Sequence, residues 1–349
     1  MAELWYAILC LMITLFVVLD GWDIGAGALH FVIAKNQDER RIVIAAIGPL
    51  WIWHEVWLVG TAGVLFMAFP QAMAVAFPAY YLALFLVLWT LLLRGISLEF
   101  RGHIPSDLWR AFWDFVFVVS NVVLALVLGA AIGNVIRGMP LKPDTPFSLP
   151  LFTDFGTRGA VGLLDWYTLS VAVFTLVCLC AHGASYLALR ADGEVYRRAK
   201  ILTKWLWPCT AFLLLLVSLE TYHVRPELFT AMAGRPTAWA MLVLLTGAWA
   251  AIFTALRSGA ETRMFFGGCA LIAGLLGAAA ASLFPVMLYS TINPAYSITA
   301  YNGSSSASSL RAAAFWWPVA FALALLYVSF IAKYYSGRVQ TSQDTHHPY

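Results

Sequence analysis

Residues 4–33 read LWYAILCLMITLFVVLDGWDIGAGALHFVI, an apolar run broken in its second half by Asp20, Asp23 and His30. A bilayer core about 30 Å thick is crossed by about 20 apolar residues in helical form. The run therefore predicts a membrane span with carboxylates held inside it. The same pattern recurs along the 349-residue chain, and spans are predicted at 4–33, 43–69, 73–98, 110–136, 164–189, 203–222, 238–256, 265–288 and 313–335. These runs are continuous, without the alternation over about ten residues that barrel strands show, so helices are expected. The fold class that follows is an all-α integral membrane protein of about nine transmembrane helices. Two four-helix bundles, 1–138 and 164–288, are expected with a loop at 139–163 between them. A second loop at 289–312 then leads to a peripheral ninth helix and tail at 313–349.

Composition agrees. The chain is 62% hydrophobic and 11% charged, against roughly 45–50% and 25% for a soluble globular protein. A net charge of +3 gives little support to nucleic-acid binding, and the placement of the charges says more. Fifteen Lys and Arg residues (Lys35, Arg40, Arg41, Arg94, Arg101, Arg110, Arg190, Arg197, Arg198, Lys200, Lys204, Arg257, Arg263, Lys333 and Arg338) fall to one side of the predicted spans. Six (Arg137, Lys142, Arg158, Arg225, Arg235 and Arg311) fall to the other. The positive-inside rule then predicts an outward N-terminus and a cytoplasmic C-terminus. No basic region precedes the first apolar run, so a retained first helix is expected rather than a cleaved signal.

The two long outer connections carry loop signals: Pro140, Pro143, Pro146 and Pro150 in the first, Asn293-Pro294 and Ser304–Ser309 in the second. The cysteines, Cys10, Cys178, Cys180, Cys209 and Cys269, all lie in apolar segments without zinc or disulfide spacing, and read as small buried hydrophobes. No metal site is expected.

Ionisable residues inside spans carry the functional signal, because a charge in hydrocarbon is costly and must face protein or water. Asp20 and Asp23 are three apart and share a helix face, while Gly21 and Gly25 permit close helix packing. The alternative for the two acids is capping, or pairing with Lys35 or Arg40. His54 and Glu55 lie about halfway along the second predicted span, pointing about 100° apart, and are candidates for proton exchange near neutral pH. Glu99 and His103, at the end of the third, read as a proton entrance with Arg94 and Arg101 as partners, or as a solvated ion-pair cluster. Asp114, four residues after Arg110, reads as an intrahelical pair. Asn121 and Asn134 need bundle partners. His182 invites a haem-ligand reading, but no second histidine stands at ligand spacing. The remaining spans read as scaffold, with Glu220 near an outer end. A proton-coupled carrier would show broken helices in matching halves, whereas this polar signature sits in one half.

Taken in order, these residues resemble subunit II of the cytochrome bd-type quinol oxidases. The matching features are Asp20-Gly-Trp-Asp23-Ile-Gly, Glu39-Arg40-Arg41, Pro49 with Trp51 and Glu55-Val-Trp57-Leu58, and Phe69-Pro70. Arg94 with Glu99-Phe100-Arg101, Trp113-Asp114, Gly133-Asn134 with Gly138 and Pro140, and Gly183-Ala184 with Tyr186-Leu187 complete the set. The resemblance implies a partner subunit I holding the haems (b and d, or b only) and oxidising quinol, small single-helix subunits in some members, and no haem in this chain. It also implies a cytoplasmic proton route, a position for Glu99 and His103 at its entrance, and a structural quinone beside Trp51 in some members. A bd-like quinol oxidoreductase with a redox partner other than oxygen, or a purely structural subunit, are the alternatives. One departure stands out: after Pro49 the family pattern is Trp-Asp-Gly-Asn-Glu, and here it is Trp51-Ile52-Trp53-His54-Glu55. Ile52 carries no proton, so His54 and Glu55 take over that step or the route runs elsewhere.

Overall fold

The computed structural model describes residues 1–142, 148–335 and 337–339. Pro143 and Pro146 of the first predicted loop, and the tail from 340 on, lie outside them.

The first predicted span is α1 (Ala2–Ala28), followed after Leu29 by a single turn, α2 (His30–Ile33). The second is two helices, α3 (Gln37–Ile47) and α4 (Trp51–Ala68), separated by residues 48–50. This corrects the expectation of one helix over 43–69. Pro49 has no amide hydrogen with which to continue the helical hydrogen-bond ladder, so α3 ends at Ile47 and the chain turns through residues 48–50. Before that turn α3 is polar, and its first turn is capped by Asn36, which accepts a 2.9 Å hydrogen bond from the Glu39 amide. The third predicted span is also divided, into α5 (Pro70–Ala79) and α6 (Tyr81–Phe100). Pro70 begins α5, where a missing amide hydrogen has no helical partner to lose.

The rest runs α7 (Asp107–Arg137), α8 (Trp166–Arg190), α9 (Gly193–Val224), short α10 (Glu227–Ala233), α11 (Pro236–Ser258) and α12 (Glu261–Leu283). A small antiparallel hairpin follows, β1 (Val286–Leu288) with β2 (Ile298–Thr299), before α13 (Ala307–Tyr334). In it Val286 faces Thr299 and Leu288 faces Ile298. Among the described residues, α1, α4, α6, α7, α8, α9, α11, α12 and α13 are long and apolar enough to cross a membrane. The chain is an all-α, multi-pass membrane protein. Its two ends are called here the α3 face and the hairpin face.

The first helix is the hub. α1 packs on α4, α7, α8 and α12. Its approach to α8 is closest at glycines: a Cβ on Gly25 would lie 1.7 Å from the Leu179 carbonyl oxygen, and one on Gly183 would lie 2.2 Å from the Ala26 nitrogen. Only residues without a Cβ allow the two backbones to come this near. α13 is held differently, through rings and at its ends. Trp5 donates to the Leu310 carbonyl at 3.0 Å and its ring meets Trp317 edge-on. At the opposite end Arg190 donates to the Tyr335 carbonyl, and the Val339 amide donates to Arg190 at 2.8 Å.

Of the cysteines, Cys178 and Cys180 are buried, whereas Cys209 is exposed on α9. That corrects the expectation for Cys209: an apolar segment in a membrane protein has a face turned to lipid as well as one turned to the core.

Candidate functional site

The break at Gly48-Pro49 decides the site. It places His54 and Glu55 in the opening turns of α4 rather than at mid-span, level with Asp20 and Asp23 on α1. The expectation that Glu55 sits halfway along a helix is thereby corrected. Asp20, Asp23 and Arg94 are fully buried, and His54 is nearly so. Arg94 reaches in from α6 and grips Asp20 with both terminal nitrogens, Nη1 to Oδ2 at 2.7 Å and Nη2 to Oδ1. Its Nη2 also lies 3.8 Å from Asp23 Oδ2, and its Nη1 lies 3.7 Å from Glu55 Oε1. His54 Nδ1 shares a 2.5 Å hydrogen bond with Asp23 Oδ2. Glu55 is the most accessible member, its side chain 22% exposed.

Charge counting shows what this arrangement does. Three carboxylates face one permanent cation, so full ionisation leaves a surplus of two negative charges in a setting where unpaired charge is costly. Glu55 is the member of the cluster most open to its surroundings. Asp23 Oδ1, Glu55 Oε1 and Arg94 Nε are buried without a protein hydrogen bond, which suits groups that meet water or a partner chain. Trp22 walls one side: its ring meets His54 edge-on at 4.9 Å and stacks on Tyr186 at 5.3 Å.

The ligand atoms of Asp20, Asp23 and His54 lie within 4.8 Å of one another, a spacing that resembles a metal site. The Arg94 guanidinium already supplies the positive charge against both Asp20 oxygens. A cation there would have to displace it, so the donor set fits a metal poorly.

Other expected residues lie elsewhere. Glu99 and His103 are exposed at the α3-face end of α6, and His103 Nδ1 sits 2.8 Å from the Glu99 carbonyl. Arg94 and Arg101, expected as their partners, are committed to Asp20 and to Asp114 respectively. Asp114 does not pair with Arg110, which instead meets Asp107 at 3.5 Å. Asp114 gathers Arg101 Nε at 2.6 Å, Arg40 Nη1 at 3.1 Å and His30 Nε2 at 3.1 Å. Nothing in the local spacing announces this knot, whose members come from four different segments. Lys35 and Arg40, the alternative partners for Asp20 and Asp23, do not reach them: Lys35 Nζ donates to the Phe31 carbonyl.

Trp51 packs its indole against Gly95, where an added Cβ would meet the ring at 2.8 Å. Gly21 faces the Leu179 side chain, where a Cβ would come within 2.9 Å. His182 directs Nε2 at the Val18 carbonyl, 3.2 Å away, and stacks on Phe265. With His54 on Asp23 and His30 on Asp114, each buried histidine among the described residues is engaged with protein, and no histidine lines either of two cavities, of about 290 Å³ and 490 Å³. The residues do not fit haem ligation within this chain. Asn121 donates to the Phe117 carbonyl. Asn134 donates to Ala130 and Leu163 and accepts from Arg137, which also binds Asp165. Glu220 accepts from Ser170 at 3.1 Å.

A cavity of about 490 Å³ lies between α4 and α13, with Trp53, Trp57, Trp317, Phe321 and Tyr327 among its walls; Trp51 is not one of them.

Comparisons with known proteins bear on the family and the fold. The family described as cytochrome bd terminal oxidase subunit II matches residues 1–335. Cytochrome bd ubiquinol oxidase subunit 2 of Bacillus subtilis (strain 168) is 30% identical, covering 88% of each chain. A probable cytochrome oxidase subunit 2 of Haemophilus influenzae is also 30% identical, over 97% of this chain and 95% of its own length. In fold, the chain superposes on the bd oxidase from Geobacillus thermodenitrificans with a TM-score of 0.72, covering 96% of this chain and 98% of the other at 18% identity.

Proposed function

The chain belongs to the cytochrome bd terminal oxidase subunit II family, and from that premise we propose that it lines a proton route toward the oxygen-reducing site of a haem-bearing subunit I. It is one subunit of an oxidoreductase complex that takes electrons from quinol. The observation that supports the route is the cluster of Asp20, Asp23, His54, Glu55 and Arg94, in which three acids and one histidine surround a single guanidinium. Protons enter from the α3 face, past Glu99 and His103, reach Glu55 and pass to the Asp23–His54 pair. The haems belong to the partner, and this chain contributes the hydrated, charge-balanced path and the surface that supports the partner. The excess of Lys and Arg puts the α3 face in the cytoplasm of a bacterium, with the N-terminus outside.

The family's aspartate position is Ile52 here, 49% exposed and three residues before Glu55 on the same helix. His54 and Asp23 carry the proton step that an acid at position 52 would serve. The aromatic cavity between α4 and α13 is the place for a structural quinone, its indole and phenol rings suiting a flat ring. Small single-helix subunits would join on the lipid-facing surfaces.

The test is Glu55→Gln in the assembled complex. Quinol-driven oxygen uptake is expected to slow while the haem spectrum stays intact. Unchanged turnover from mildly acid to mildly alkaline pH would return the chain to a purely structural role. Quinol oxidation that proceeds without oxygen uptake would favour a different terminal acceptor.

A further inference from the structure

The second half of the chain contains a cavity that the proton route does not use. Its volume is about 290 Å³, close to the ~300 Å³ at which ligand pockets begin. The cavity has a structural origin. α8 packs closely with α9, and α11 with α12, but α9 and α11 barely touch. A wedge is left between the two pairs in the half of the membrane nearer the hairpin face. Leu214 and Val217 of α9, Leu245 of α11 and Leu276 of α12 line it, and Phe229 and Met232 of α10 close its end.

The lining offers no recognition for a polar ligand. Each hydroxyl in the wall is spent on its own helix: Thr175 donates to Val171, Ser218 to Leu214, Thr221 to Val217 and Ser282 to Ala278, at 2.7–2.8 Å. Apart from the Cys178 thiol and the Met232 thioether, what remains is hydrocarbon.

A cation stands at the mouth. Arg235, at the start of α11, donates from Nη1 to the carbonyls of Ala281 and Ser282, and Ser282 is itself a wall residue. Among the described residues Arg235 forms no ion pair within 4.0 Å. The nearby acid Glu227 is already held by Arg225, whose Nη1 also ties α7 to this corner through the Ile136 carbonyl at 2.9 Å.

We propose that this wedge binds one membrane phospholipid of the hairpin-face leaflet, an acyl chain filling the cavity and the phosphate resting on Arg235. An apolar slot with a guanidinium at its rim that no described carboxylate neutralises matches both ends of such a molecule, and Arg is the residue that best presents a planar fork to phosphate oxygens. The acyl chain fills the space left where α9 and α11 barely touch, so the lipid is part of the packing of the second bundle.

The whole complex, reconstituted in nanodiscs of phosphatidylglycerol with brominated acyl chains, provides the test. Bromine density is expected between Val217, Leu245 and Leu276 in the wild-type complex, a result that needs no variant to fold. Ala279→Phe, which fills the slot, should reduce tightly retained phospholipid by a single molecule per complex without changing the haem spectrum. Arg235→Gln should lower retention several-fold, and Arg235→Lys should restore part of it. Absence of bromine from the wild-type cavity, retention that ignores both Ala279→Phe and Arg235→Gln, or an extractable quinone whose loss tracks Ala279→Phe in place of phospholipid would each overturn the proposal.

Discussion

Asp20 and Arg94, 74 residues apart in sequence, close on each other inside the membrane as a two-pronged ion pair with no exposed atom. Each removes the other's charge from a setting that would not tolerate it alone, and together they fix α6 against α1. Removing one partner of such a pair costs about 3–5 kcal/mol, because the survivor stays buried and unpaired. Arg94→Gln should therefore lower the thermal stability of the purified complex or deplete this subunit from it. Asp20→Asn added in the same chain should recover part of the loss. If the double variant is no more stable than Arg94→Gln alone, the pair is not the source of the effect.

The His54 position offers a sharper test of the proton route. His54→Asn installs the residue of the family pattern but leaves Ile52 unable to carry a proton, so turnover should fall and become more dependent on pH. Ile52→Asp in that background should recover activity in part. Recovery of neither rate nor pH profile would mean that the route does not pass between these two positions.

Close packing of α1 on α8 is tested by Gly25→Ala. A methyl group there would stand 1.7 Å from the Leu179 carbonyl oxygen, and overpacking of this kind costs about 1–3 kcal/mol. Because that contact lies within two turns of Asp20, a lower melting temperature should come with slower turnover. A variant as stable as wild type would show that the helices separate without consequence.

On the α3 face, Glu39 accepts from Arg198 at 2.6 Å and from the Lys35 amide at 2.6 Å. Burial pushes its carboxyl up, but the Arg198 guanidinium and the Lys35 amide outweigh burial and hold it below the usual carboxylate range. A folded value below the unfolded one means that the contribution is present above the ordinary carboxylate range and disappears as pH falls through the folded value. Glu39→Gln should be less stable than wild type by about 1–2 kcal/mol at neutral pH. That difference should vanish in acid. A gap that persists unchanged at low pH would assign it to packing.

How much of this was written in the sequence depends on the range over which the interactions act. The spans were legible, because twenty apolar residues in a row have few other uses, and so was the polar character of the first half. The divisions of the second and third spans were not, since apolar residues run straight through Tyr80 and almost through Pro49. The partners were least legible of all. Spacing alone paired Asp114 with Arg110, whereas the folded chain brings it Arg101, Arg40 and His30. The clue that remained readable was the cost of a buried charge: a carboxylate at position 20 demands a cation, and Arg94 was the intramembrane arginine available to meet it.

The ninth transmembrane helix, fastened by Trp5 and Trp317 at one end and Arg190 at the other, has a mechanical consequence. Along its length its remaining ties to the body are rings, Phe321 against Trp57 and Tyr327 against Trp53, contacts that slide more readily than the glycine-locked crossing of α1 and α8. Bilayers differ in thickness by a few Å, and helices answer by tilting. A tilt of α13 would therefore be borne first by aromatic surfaces and not by the backbone contact beneath the charge cluster.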